Sequence, residues 1–91
     1  MTDPLELSLT PSPDASFTRL GEETVMLELK SGTYYGLDAV GTRVWELLVA
    51  GESSPDICAI LASEYDAPEE QIRLDVSDLL TDLLERGLLT S

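Results

Sequence analysis

Residues Ser31-Gly-Thr-Tyr-Tyr-Gly-Leu37 read as a short strand entered from a glycine turn, and Asp38, a good helix cap, follows at once. The strand is the last before a run of helices, which puts it at a sheet edge. An edge strand carries main-chain N–H and C=O groups that another chain can pair with.

Upstream, Ala15 to Leu20 and Thr24 to Leu29 have strand character and are joined by Gly21-Glu-Glu23, a hairpin with Val25, Leu27 and Leu29 on one face. Lys30-Ser-Gly32 connects this hairpin to the strand Thr33 to Leu37, so three antiparallel strands form a meander. A connection of three or four residues puts Tyr35 and Leu37 on the inward face with Leu27 and Leu29 and leaves Tyr34 outward. A two-residue connection inverts that assignment, because one step of register exchanges the faces. Before the hairpin, residues 1–14 hold Pro4, Pro11 and Pro13 and read as an N-terminal arm, in which the alternation Leu5, Leu7, Leu9 allows a short added strand.

Downstream, Asp38 caps a helix over Ala39 to Val49, with Val40, Val44, Leu47 and Leu48 at helical spacing and Gly51 ending it. Trp45 lies beside that stripe and reads as a packing residue. Ser53 or Ser54 caps a second helix, Pro55 takes its first position, and Ile57, Leu61 and Tyr65 share a stripe. Asp66-Ala-Pro68 starts a third helix in the same manner, which runs to about Arg86 with Ile72, Val76, Leu79, Leu80 and Leu83 inward. At 100° per residue Gln71, Asp75, Asp78 and Asp82 fall on one flank, and Leu74 sits roughly opposite the core stripe. Gly87 stops the helix, and Leu88 and Leu89 pack back. Strands followed by helices make an α+β domain over residues 15–91, a three-stranded antiparallel sheet followed by three helices, resembling a winged helix-turn-helix.

Composition narrows the function. A chain of 91 residues fits one domain, and its 43% hydrophobic content suffices for a core. No apolar run approaches the roughly 18 residues of a membrane span, and the N-terminus lacks a basic-then-apolar signal, so the expected location is cytoplasmic. Absence of histidine removes common zinc sites and histidine-based triads, and no spaced Asp/Asn loop suggests another cation site, so no cofactor is expected. The single cysteine, Cys58, sits among Ile57, Ala59, Ile60 and Leu61 as a small core residue. Net charge is -13, and from Glu52 onward ten acidic side chains face only Arg73 and Arg86. Phosphate backbones repel such a chain, which argues against a DNA-binding regulator despite the topology. The acidic surface serves solubility or steers a basic partner. A hydrolase or transferase lacks an identifiable nucleophile and base.

The stretch Val25 to Leu48, with Ser31-Gly-Thr-Tyr-Tyr-Gly-Leu-Asp38, Gly41 and Trp45, resembles the PqqD-like family of peptide recognition elements, and the likeness extends to Gly87-Leu-Leu89. Members of that family bind leader segments of ribosomally made precursor peptides and are not themselves enzymes. The resemblance implies a leader-binding protein of the lasso-peptide type that partners a separate maturation protease or other modifying enzyme. The alternative is a peptide chaperone for a radical enzyme. It further implies that the leader lies between the edge strand and the third helix, against Thr33, Tyr34, Tyr35, Gly36, Leu74, Asp75, Asp78, Leu79 and Asp82, where the carboxylates would meet Lys or Arg of the leader. The family often has Asn where Asp38 stands, and either residue caps a helix.

Overall fold

A computed structural model of the chain describes Leu5 and residues 8–91. Strand β1 spans Thr10–Pro11, β2 Ala15–Leu20, β3 Glu23–Glu28 and β4 Thr33–Leu37; helices α1 (Ala39–Val49), α2 (Ser54–Glu64) and α3 (Glu69–Glu85) follow, and β5 is Leu89–Thr90. Strands β2, β3 and β4 form an antiparallel sheet in that order, so the α+β arrangement of a three-stranded sheet followed by three helices is present and β4 lies at an edge.

Gly21, at φ 64°, begins the two-residue turn between β2 and β3, and its positive φ suits a turn that follows the strand twist. The register runs from Ala15↔Glu28 to Leu20↔Glu23. A four-residue connection, Leu29 to Gly32, leads into β4, whose register sets Thr24 opposite Leu37, Met26 opposite Tyr35 and Leu27 opposite Tyr34.

Tyr35 and Leu37 turn inward and Tyr34 outward, as expected, but the register places Tyr35 beside Met26 and Leu37 beside Thr24. On β3, however, the inward residues are Thr24, Met26 and Glu28, while Val25 and Leu27 take the other face and Leu29 stands in the turn, 56% exposed. The expectation that Leu27 and Leu29 face the core is therefore corrected. The two polar residues are tolerated inside because each is satisfied locally. Thr24 Oγ1 lies 2.9 Å from Thr42 Oγ1 on α1. The Glu28 carboxylate accepts from the Ser31 backbone N–H and hydroxyl, both at 2.6 Å, and from the Lys30 N–H at 3.3 Å.

Helix α1 begins where Asp38 accepts a hydrogen bond from Gly41 N at 2.8 Å, and it buries Val44, Trp45, Leu47 and Leu48 toward the sheet and α2. Ser53 caps α2 by accepting from Asp56 N. Helix α3 differs from expectation at its start: Pro68 occupies the cap position, and no side chain, Asp66 included, makes a capping hydrogen bond there. Its apolar stripe is otherwise as anticipated, with Ile72, Val76, Leu80 and Leu83 buried and Leu79 half-buried. Met26, Ile57, Leu80 and Leu83, all without exposed surface, mark the centre of the core.

The segment before β2 joins this core. Leu5 and Leu9 are buried, Thr10 pairs with Thr90 and Pro11 with Leu89, and Ser12 N donates to Leu88 O at 3.0 Å. Leu7, the middle residue of the leucine alternation, lies outside the described residues. Gly87 turns the chain out of α3 at φ 75°, which lets Leu88 and Leu89 fold back beneath it.

Candidate peptide groove

The hydrogen-bonding pattern of the sheet decides what β4 offers at its open side. Leu29 N, just past β3, bonds to Asp14 O, just ahead of β2, and continues the β2–β3 ladder. Antiparallel ladders alternate, so the odd positions of β3 address β2 and Thr24, Met26 and Glu28 address β4. Their opposites Leu37, Tyr35 and Thr33 are then engaged with β3, and the N–H and C=O of Tyr34 and Gly36 point away from the sheet. Among the described residues no strand pairs with that edge.

Beside the edge runs a groove of about 430 Å³. Strand β4 and the start of α1 supply Tyr35, Gly36, Leu37, Asp38, Val40 and Gly41, and α3 supplies Asp75 and Leu79. Gly36 lines it with backbone alone, and a Cβ built there would meet nothing within 4 Å. At the α1 end the groove adjoins an apolar notch of about 170 Å³ that shares Val40 and Asp75 and is walled by Leu61, Tyr65, Ala67, Ile72 and Val76. A chain leaving the strand edge there would meet apolar surface.

At the opposite end, side chains join β4 to α3. The Tyr35 hydroxyl donates to Asp82 Oδ2 at 2.6 Å, Arg86 Nε donates to Asp82 Oδ1 at 3.0 Å, and the Arg86 guanidinium lies 4.7 Å from the centre of the Tyr35 ring. Partial burial, followed by the neighbouring Asp82 carboxylate, pushes the Tyr35 phenol up to about 12. Asp82 moves the other way: the Tyr35 hydroxyl and then Arg86 hold its carboxyl below the usual range.

The residues expected to meet a peptide are thus distributed unevenly. Tyr35, Gly36, Asp75 and Leu79 line one groove. Asp75 is held by Gln71, whose amide donates to it at 2.9 Å, and exposed Asp78 is one helical step further along α3. Thr33 is exposed at the entry of β4. Tyr34, 69% exposed, has its ring on the outward sheet face beside Leu27 and its backbone at the open edge. Asp82 is occupied by Tyr35 and Arg86. Leu74, 60% exposed, borders a different depression with Leu5, Glu70, Arg73 and Ser77.

Sequence reasoning did not anticipate Leu37, Asp38, Val40, Gly41 or the notch as lining. Val40 occupies an inward helical position, yet it lies in the first turn of α1, lines the groove and is 41% exposed. Among the described residues there is no group of three or more potential metal ligands, and no helix is long and apolar enough to cross a membrane.

A three-stranded sheet whose β4 edge is open, set beside the last of three helices, defines a class of small α+β domain with a strand-sized groove. The family described as coenzyme PQQ synthesis protein D (PqqD) matches residues 23–89, and the chain belongs to that family. Solved structures similar to it include TbiB1 in complex with the TbiA(beta) leader peptide, 34% identical with a TM-score of 0.87 over 90% of this chain and 95% of that one. Another is a lasso peptide synthetase B1 complexed with the leader peptide, 26% identical with a TM-score of 0.85 over 93% of this chain and 100% of that one. No curated protein matches the chain.

Proposed function

We propose that this protein is a non-catalytic module that captures the leader segment of a ribosomally synthesised precursor peptide and presents it to a separate maturation protease or modifying enzyme in a lasso-peptide pathway. The observation that carries the reading is the outward-pointing backbone of Tyr34 and Gly36 above a groove walled by α3. An extended peptide adds there as a fourth strand, main-chain hydrogen bonds supply affinity, and alternate side chains reach the groove and the notch. Two leader-bound structures of the same fold favour this occupant over a chaperone role for a radical enzyme. The charge of -13 opposes a nucleic-acid partner and suits a leader with Lys or Arg near Asp75 and Asp78.

Leader binding by titration tests the reading, with an affinity expected between micromolar and nanomolar, about -8 to -12 kcal/mol. Gly36→Pro removes an N–H that serves the open edge, and the ladder to β3 does not use it. The variant should stay folded and lose capture. Asp75→Lys with Asp78→Lys should weaken a basic leader. Undiminished binding by the proline variant would sink strand addition, and unchanged binding by the lysine pair would remove the carboxylates from the interface. Mass spectrometry should find the leader intact after incubation with this protein alone; cleavage would overturn the non-catalytic assignment.

A further inference from the structure

We propose that Tyr35, Asp82 and Arg86 form an internal clamp that fixes the distance between the β4 edge and α3, with Asp82 a positioning residue and not a carboxylate that meets the peptide. The inference rests on the leader-binding reading and adds to it which residue sets the groove.

The geometry carries it in three ways. Both Asp82 oxygens already receive donors, one from Tyr35 and one from Arg86, and the guanidinium cancels its charge. Asp82 is half-buried, whereas Asp75 and Asp78 on the same flank are exposed and Asp75 lines the groove. Tyr35 stands between the two residues whose backbone addresses the open edge, so pinning its side chain to α3 steadies Tyr34 and Gly36 against the helix.

The helix side of the clamp is itself held. Arg86 N donates to Asp82 O, Leu88 N donates to Leu83 O, and β5, which begins at Leu89, pairs with β1. At its other end α3 starts without a side-chain cap beside the apolar notch. The groove is therefore fixed at the end nearer the β3–β4 turn. Ordering one wall in advance lowers the cost of binding a flexible peptide.

The test uses a fluorescently labelled TbiA(beta) leader peptide and a second version with its Lys and Arg replaced by Gln. Tyr35→Phe and Asp82→Ala should each weaken capture by about fivefold to tenfold at nearly unchanged thermal midpoints. The double variant should lose little beyond the worse single one. Asp82→Asn, which keeps an acceptor for the Tyr35 hydroxyl, should bind better than Asp82→Ala. Wild-type affinity in Tyr35→Phe, additive losses, or an Asp82→Ala loss that disappears with the neutralised peptide would each overturn the clamp. Hydrogen exchange of the Tyr35 and Leu37 amides, measured without peptide, probes the clamp independently of binding. Exchange should accelerate in Tyr35→Phe, and unchanged rates would overturn the clamp. Failure of the wild-type protein to hold either peptide, with accelerated exchange in the variant, would count against leader capture while leaving the clamp standing.

Discussion

Glu28 illustrates how one residue can defeat a hydrophobic pattern. Val25, Leu27 and Leu29 alternate as an inward stripe should, yet Glu28 and Thr24 occupy the inward positions with Met26 between them. The β3–β4 turn closes onto the Glu28 carboxylate, which converts a costly buried acid into a fastener for Lys30 and Ser31. The Ser31 hydroxyl and N–H hold this carboxyl below its ordinary value of 4.5. A depressed carboxyl contributes stability above its unfolded pKa and loses it as pH falls through the folded one. The urea midpoint should therefore be level from neutral pH down to the ordinary carboxylate range and decline below it. Glu28→Gln should lower the midpoint at pH 7 and make the acid decline shallower. An identical pH profile in that variant would refute the role.

At the scale of elements, local signals served well where an element is defined by its own sequence. Asp38 as cap and Ala39–Val49 as α1 were both legible, because capping and helical periodicity involve neighbours a turn apart. The edge position of β4 was legible too, since consecutive short connections leave the last strand outermost. The outward sheet face was not, because it depends on which side the helices cover. That face carries Leu20 and Tyr34, with Val25 and Leu27 half-buried between them, and Leu29 stands beside it in the β3–β4 turn; Leu20, Leu29 and Tyr34 are each more than half exposed. Exposed apolar side chains on this face would be open to a protein partner, and under the proposed function the maturation enzyme is the partner to test. Leu29→Asp with Leu20→Asp should leave leader affinity unchanged and slow leader removal by the pathway protease. Equal processing rates would exclude this face as the docking surface.

For the molecule as a whole, the two ends of the described chain close the structure together. Leu9 is buried and β1 pairs with β5, so the segment before the hairpin contributes to the core that supports α3. Leu9→Ala should destabilise the fold by about 2 kcal/mol in urea denaturation, and an effect under about 0.5 kcal/mol would make that contact superficial. The three strands of the sheet, the three helices, the turns between them and the β4 edge followed from the chain alone, because propensity, capping and periodicity act over a few residues. Tertiary structure alone decided the inward face of β3, the pairing of the termini, the joining of Tyr35 to Asp82 and Arg86, and the separation of Leu74 from the groove. Each of these rests on groups far apart in sequence satisfying one another's charge, hydrogen bonds or apolar surface, and no local pattern specifies which distant partner will do so.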